Sequence, residues 1–327
     1  MGFCGKHFTN PKIAYISGLD PAGLGFLRND SLTRLAPTDA SLVVVTHTSG
    51  GLVKWGGDGL SIQLSGYLGN VDPLGHYDFW PNGGTGQSGC DNNVFTQIKN
   101  AFKPGDCNHQ RVPVLLIADR SLRSPDSCQL IAYRCDSYEN FYSGKCGDCG
   151  ANGDKCRPLG FNLEYWMNET NTNPVKALQT FPNNYFMRTS DAHPFCLFHY
   201  QIVVYVNQNP GLNKLSVKVN ANTTIKFEGP WLGFRSSYLY TQLYTSDKNL
   251  GQINKVDIEF GITFPQNMPS ICWPIVCLMS EEDDTNSDDK DNGHHYHTSH
   301  ECMSSVAILS SISITPLWSH DINRRLF

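Results

Sequence analysis

The sequence predicts an α/β domain followed by an antiparallel β-sandwich. Residues 12–19, "KIAYISGL", and 41–48, "SLVVVTHT", are short and almost continuously apolar, which is typical of buried parallel strands. From about residue 178 the strands alternate apolar and polar positions, which is typical of an antiparallel sandwich. The length of 327 residues favours two domains, at roughly 100–200 residues each.

These patterns divide the chain into four segments. The α/β part covers residues 1–166, with a glycine- and proline-rich loop at 60–90. A polar segment at 167–177 is predicted to be a linker, and the sandwich occupies 178–270. Residues 271–327 are a divergent tail whose acidic, histidine-rich run "SEEDDTNSDDKDNGHHYHTSH" is too polar to pack a core, so we expect it to be partly disordered.

Composition excludes several classes of partner. The net charge of -5, from 25 basic and 30 acidic residues, provides no basic surface for nucleic acid. The sequence contains no run of about 20 apolar residues, so it predicts no transmembrane segment. Twelve cysteines favour disulfides in an oxidising compartment, so we expect an extracellular protein. The sequons at Asn29, Asn168 and Asn222 fit glycosylation, although the first residues contain no signal peptide.

A short amphipathic helix is predicted between two cysteines. The segment "DNNVFTQIKNAFKPGD" separates Cys90 from Cys107. Its apolar residues recur on one face of a helix, which Pro104 and Gly105 would end. The apolar positions are Val94, Phe95, Ile98, Ala101 and Phe102.

Carboxylates and histidines beside strand ends suggest hydrolase chemistry. Asp20 follows the first apolar run and is placed to be the acid of a Ser-His-Asp triad. His109, in a predicted loop beside Cys107, is one candidate base, and His47 and His76 are equally plausible from their local sequence. The residues alone do not rank the three histidines.

Five phrases resemble the secreted animal lipases of the pancreatic lipase family. They are "GLDPA", "RLAPTDASLVVVTHTS", "LGNVDPLGHYDFWPNGG", "CNHQR" and "CDSYENFYSGKCGDCGANGDKCRPLGF". This resemblance implies that residues 1–166 are the C-terminal part of an α/β-hydrolase lipase domain. It also implies that the sandwich, with "FCLFHYQIVVYV", is similar to the PLAT domain of that family.

The same resemblance implies roles for individual residues. Asp20 becomes the triad acid and His109 the triad base, while His47 and His76 become structural. Cys90 and Cys107 would close a lid over residues 90–107, and its apolar face, Val94, Phe95, Ile98 and Phe102, would meet lipid at an interface. The later disulfides would be Cys135 with Cys146 and Cys149 with Cys156. Six cysteines stay unassigned: Cys4, Cys128, Cys196, Cys272, Cys277 and Cys302.

One departure from the family concerns calcium. Lipases of this family bind calcium in the loop that here contains the Arg34 carbonyl and Asp39. Ser31 and Ala36 stand where carboxylates are usual, and each lost anionic oxygen weakens binding of a hard cation. We therefore expect weak calcium binding or none, and we expect no other cofactor.

The second departure concerns the nucleophile. No G-x-S-x-G motif occurs in residues 1–327, so we expect an N-terminally truncated copy that is inactive by itself. The predicted family activity is carboxylic ester hydrolysis at a lipid-water interface, of the triacylglycerol lipase or phospholipase A1 type. The alternative is a catalytically inactive lipid-binding or yolk-like storage protein on the lipase scaffold. The sequence identifies no protein partner.

Overall fold

The structure is a computed structural model of the 327-residue chain. It describes residues 2–8, 10–23, 26, 30–50, 53–56, 59–62, 69–90, 106–121, 128–150, 153, 155–159, 183–208, 214–220, 223–228, 238–253, 255–261 and 308–317. The helices are α1 (Gly2–His7), α2 (Cys107–Ser121) and α3 (Tyr138–Tyr142), with 3-10 turns at Pro37–Asp39 and Asn82–Gly84. The strands are β1 (Tyr15–Leu19), β2 (Leu42–Thr46), β3 (Val53–Gly56), β4 (Gly59–Ile62), β5 (Tyr77–Pro81), β6 (Ile131–Arg134), β7 (Cys156–Pro158), β8 (Asn184–Met187), β9 (Phe198–Gln208), β10 (Lys214–Val219), β11 (Thr223–Glu228), β12 (Tyr238–Ser246), β13 (Val256–Gly261) and β14 (Ile308–Pro316).

A six-stranded mixed sheet is formed by strands that lie between Tyr15 and Met187. Its order is β1-β2-β5-β8-β6-β7. The first four strands are parallel, and β6 runs antiparallel to both β8 and β7. The parallel pairing of the two apolar runs is therefore confirmed, because Tyr15 lies opposite Leu42 and Leu19 opposite Thr46.

Two strands of this sheet contradict the sequence-based boundaries. The strand β5 lies within the range 60–90, which was predicted to be loop, yet all five of its residues are buried. The strand β8 lies within 178–270, assigned to the sandwich, but it pairs with β5 and β6. Both strands are short and covered on both faces, so neither shows the alternation that marks a half-exposed strand. The α/β sheet thus extends beyond the predicted end at residue 166.

The core on one face of this sheet is built by α2. Val112, Leu115, Leu116 and Ala118 of the helix are buried with sheet residues such as Phe79. Each fully buried side chain of this size contributes about 1.5–3 kcal/mol relative to exposure. This packing fixes the position of the first turn of α2 relative to the ends of the parallel strands.

The chain divides into two compact units. One comprises Met1–Val203, Thr241–Gln252 and Ser313–Phe327, and the other comprises Val204–Tyr240 and Ile253–Ile312. In the second unit, β10 pairs antiparallel with β11 and β13. The inward residues Leu215, Val217 and Val219 are almost fully buried, which confirms the predicted period of two.

A further three-stranded sheet has the order β12-β9-β14. Its last strand, β14, lies within 271–327, the segment predicted to be a divergent and partly disordered tail. The alternating stretch "ILSSISITP" is compatible with a strand, but the polar run before it concealed this signal. Among the described residues, no helix is both long enough and apolar enough to span a membrane.

Candidate active site

Asp20 lies immediately after β1, at the carboxyl end of the parallel strands. Its backbone adopts a positive φ of 48°, an uncommon conformation for a residue with a side chain, and its N–H donates to the Thr46 carbonyl at 2.8 Å. Its carboxylate accepts hydrogen bonds from the backbone N–H groups of Thr48 and Ser49 through Oδ1, at 2.8 and 2.9 Å. The hydroxyl of Ser49 donates to Oδ2. The acid is thus held rigidly, with 2% of its surface exposed.

Gly69 lets the chain approach this carboxylate closely. A Cβ at position 69 would lie 2.9 Å from Asp20 Oδ1 and 2.7 Å from the Ser49 carbonyl oxygen. Neither backbone nor carboxylate could move aside without breaking the contacts that hold Asp20. A side chain at position 69 would therefore disturb the geometry of the acid.

His109 lies in the first turn of α2, so the prediction that it lies in a loop is wrong. Asp106 caps this helix, since its Oδ2 accepts the His109 N–H at 3.2 Å. The neighbouring Asn108 is buried and accepts the Gln87 N–H at 2.7 Å. A disulfide joins Cys107 to Cys90, with the Cα atoms 5.7 Å apart. These three contacts fix the backbone that carries the imidazole.

The two residues meet although 89 positions separate them. His109 Nδ1 lies 2.7 Å from Asp20 Oδ2. Burial alone would raise the pKa of Asp20, but the hydrogen bonds from His109, Ser49 and Thr48 outweigh it and lower that pKa. The hydrogen bond to Asp20 raises the pKa of His109. The His109 side chain is 52% exposed, and its Nε2 makes no hydrogen bond to a described residue.

The other two candidate histidines have different surroundings. His47 is fully buried, with Nδ1 2.9 Å from the Asn70 carbonyl and Nε2 2.9 Å from Asp78 Oδ1. His76 Nδ1 accepts the Val43 N–H at 2.8 Å, and burial lowers the pKa of this imidazole. Both rings serve the packing of the sheet, and neither approaches Asp20 as His109 does.

Four disulfides stabilise the described residues. Three are the pairs that the family resemblance implies: Cys90–Cys107, Cys135–Cys146 and Cys149–Cys156. The fourth, Cys128–Cys196, had no assignment from the sequence. Its partners are 68 residues apart, so no local spacing could have identified them. Cys4 is exposed and has no disulfide.

Several predicted sites lie outside the described residues. These are the lid positions Val94, Phe95, Ile98 and Phe102, the sequons at Asn29, Asn168 and Asn222, and the cysteines Cys272, Cys277 and Cys302.

The expected remnant of a calcium site is described, and it does not fit a metal. Lys6 Nζ lies 2.6 Å from Asp39 Oδ2 and 2.9 Å from the Arg34 carbonyl oxygen. A side-chain ammonium therefore stands between the two groups that the sequence marked as remaining ligands. In the part of the chain that the structure describes, no cluster of three or more His, Cys, Asp or Glu side chains is arranged to hold a metal.

A parallel sheet that presents an aspartate at a strand end, bonded to a histidine, is typical of α/β hydrolases. Comparison with known families makes the relationship specific. The sequence pattern of the family described as Lipase matches residues 1–195, which include both Asp20 and His109. The chain belongs to the lipase family.

Individual relatives show the same relationship at moderate identity. Lipase member H of Oryctolagus cuniculus is 30% identical over 269 residues, covering 80% of this chain and 53% of the relative. Lipase member H-A of Xenopus laevis is 34% identical over 268 residues, covering 79% and 51%. Lipoprotein lipase of Mus musculus is 34% identical over 203 residues, covering 60% and 37%. The chain spans about half the length of the lipase H proteins that it matches.

Proposed function

We propose that this chain is part of a serine-dependent carboxylic ester hydrolase that acts on lipid esters, with Asp20 as the triad acid and His109 as the base. One observation supports this assignment above all others, namely the 2.7 Å contact between His109 Nδ1 and Asp20 Oδ2. Asp20 is buried and ionised, whereas His109 is half exposed and has Nε2 available. This asymmetry is what proton transfer to an external group needs.

The chemistry follows from the two ring nitrogens. Donation from Nδ1 to Asp20 leaves the lone pair on Nε2 in neutral His109. Nε2 then accepts the proton of a serine hydroxyl as the hydroxyl oxygen attacks the ester carbonyl. The carboxylate of Asp20 stabilises the imidazolium that forms, and Thr48 and Ser49 keep that carboxylate from rotating.

The proposed serine lies in sequence that precedes residue 1 in a longer chain. Residues 1–327 contain no G-x-S-x-G motif, and the matched lipases are about twice as long as the aligned region. We propose that the longer protein is extracellular, in agreement with four disulfides among the described residues. The strands β9 to β13, of which β10 pairs antiparallel with β11 and β13, would belong to a PLAT-like sandwich.

The proposed substrate is a triacylglycerol or a phospholipid at a lipid-water interface. The relatives are named lipases, and a disulfide closes the segment in which the sequence predicts an amphipathic lid. The 16 residues from Asp91 to Asp106 are enough for a helix, which favours the triacylglycerol type. Release of fatty acid from triolein and from phosphatidylcholine vesicles would distinguish the two substrates.

The transcript upstream of the Met1 codon provides the first test. An in-frame G-x-S-x-G sequence would support the proposal, and a complete transcript without one would favour the inactive lipid-binding alternative. In the extended protein, His109→Ala should reduce kcat by about 10⁴-fold. The matched control His7→Ala removes an exposed histidine of α1 and should leave kcat unchanged. Equal losses in both variants would contradict the assignment of His109.

Residues 1–327 by themselves should not hydrolyse a nitrophenyl ester measurably. Without a nucleophile, the His–Asp pair has no covalent route to the ester. Hydrolysis by this chain that a serine-directed organophosphate abolishes would show that a serine within 1–327 is the nucleophile.

A further inference from the structure

The helix α1 and the turn that contains Arg34 and Asp39 meet around a positive charge. The Lys6 ammonium contacts Asp39 Oδ2 at 2.6 Å and the Arg34 carbonyl at 2.9 Å. The Asp39 side chain is completely buried, and the Lys6 side chain is 16% exposed. The ammonium has therefore exchanged most of its water for protein oxygens.

Two glycines let the helix approach closely enough to place this charge. A Cβ at Gly5 would lie 2.1 Å from the Asp39 carbonyl oxygen and 2.7 Å from Asp39 Cβ. A Cβ at Gly2 would lie 2.8 Å from Asp39 Oδ2. Because the backbone of α1 packs directly on Asp39, the side chain of Lys6 reaches the carboxylate from the same helix.

The carboxylate depends on this contact. Its Oδ2 also accepts the Ala36 N–H at 3.0 Å, but Oδ1 has no hydrogen-bond partner among the described groups. Lys6 provides the ion pair that the structure describes for Asp39. Removal of the counter-charge of a buried carboxylate strongly destabilises the folded state.

The same contact opposes a divalent cation. Calcium takes about six to eight oxygen ligands at roughly 2.3–2.6 Å. The Lys6 nitrogen already lies 2.6 Å from Asp39 Oδ2, where such an ion would have to bind. A metal at this position would also be repelled by the ammonium. Loss of carboxylates alone would leave a weak metal site, whereas here the Lys6 ammonium occupies the position between the Arg34 carbonyl and Asp39.

We propose that Lys6 is the resident cation of this turn: its ammonium takes the place of a metal ion and keeps the Arg34–Asp39 turn folded without calcium. The turn leads into β2. Thr48 and Ser49, which follow β2, donate to the Asp20 carboxylate, so the turn supports the segment that holds Asp20. The inference does not depend on whether Asp20 and His109 act in catalysis.

Thermal unfolding of residues 1–327 in EGTA and in millimolar calcium chloride tests the proposal. The Tm should be the same in both buffers. A Tm that rises with calcium in the unaltered chain, but not in Asp39→Asn, would overturn the proposal, because the turn would then bind the metal.

Three variants test the role of the charge. Lys6→Met removes the charge but keeps an unbranched side chain that is only one atom shorter, and it should lower the Tm by about 5–10 °C. The matched control is Lys155→Met, whose exposed ion pair with Asp148 at 2.9 Å should change the Tm by no more than about 2 °C. The double variant Lys6→Met with Asp39→Asn should recover part of the loss, because it no longer buries an unpaired carboxylate.

The double variant also covers a failure to fold. If Lys6→Met is insoluble, recovery of soluble folded protein in the double variant supports the proposal. A Lys6→Met variant as stable as the unaltered chain would overturn it, and so would a double variant no better than the single one.

Discussion

Two histidine–carboxylate pairs involve residues in or next to the same six-stranded sheet, and their surroundings differ. His109 and Asp20 are 2.7 Å apart, and the imidazole is half exposed. His47 and Asp78 are 2.9 Å apart and have no exposed side-chain surface. The His47 ring is also stacked on Trp80, with 3.7 Å between the centroids.

The contrast shows that a histidine close to a carboxylate does not necessarily keep a ring nitrogen accessible. Both nitrogens of His47 face oxygen atoms of the protein, so no nitrogen remains for a substrate or a nucleophile. His109 uses one nitrogen and keeps the other available, while Asp20 is held by three donors besides the imidazole. We therefore expect stability to depend on the buried pair and chemistry to depend on the half-exposed one.

The largest effect on stability is expected from Asp78→Ala. Asp78 Oδ1 accepts the Leu74 N–H at 2.9 Å in addition to its contact with His47, and both of its oxygens contact the Gly75 N–H. Its removal should lower the free energy of unfolding by about 3–5 kcal/mol. Urea denaturation monitored by tryptophan fluorescence measures this change.

The control for Asp78→Ala is Asp148→Ala, which breaks an exposed ion pair with Lys155 and should cost less than about 1 kcal/mol. If the two variants lost similar amounts, the His47–Asp78 pair would not be the structural element that its burial indicates.

A smaller effect on stability is expected from Asp20→Asn. The amide oxygen can still accept from Thr48 and Ser49, and asparagine tolerates the positive φ at this position. We expect a loss of about 1 kcal/mol, together with a lower pKa of His109, because the carboxylate that raises it is gone. Titration of the imidazole resonances by NMR measures this pKa, and the unchanged pKa of His109 in Asp148→Ala is the control.

His109→Ala should cost about 1 kcal/mol, because a half-exposed ring contributes little packing and three other donors still hold the buried Asp20 carboxylate. His47→Ala, which empties a buried position against Trp80, should cost about 2–4 kcal/mol. Urea denaturation of both variants provides the comparison. A larger loss for His109 than for His47 would reverse the roles assigned to the two rings.

The smallest expected effect is the pH dependence of the Asp20–His109 pair. The pKa of Asp20 is lower in the folded state than its ordinary value of 3.8. The stabilisation of the folded state by the Asp20 carboxylate is therefore fully present above pH 3.8, and it is lost as the pH falls through the pKa of the folded state. The pKa of His109 is raised, so its contribution is present below 6.5 and is lost as pH rises through the higher folded value. The stability difference between the unaltered chain and His109→Ala should therefore be greatest between these two ordinary values. A difference that grew above that range would contradict the raised pKa of His109.

The sequence predicted elements whose signal is local. The apolar runs identified β1 and β2, and the period of two identified β10, β11 and β13. It missed β5 and β8 because fully covered short strands do not alternate, and it missed the partners of Cys128 and Lys6. Glycine spacing in α1 offered one usable signal, since Gly2 and Gly5 allow a close approach of that helix.

By itself, the sequence determined which chemical groups are present and the family to which their order belongs. It placed Asp20 after a buried strand, and it located three histidines without a physical reason to choose among them. The tertiary structure decided that His109 meets Asp20, that His47 is enclosed, and that Lys6 reaches Asp39 across 33 residues. Periodicity depends on neighbours along the chain, whereas these contacts depend on the order of the strands and on how helices pack against them.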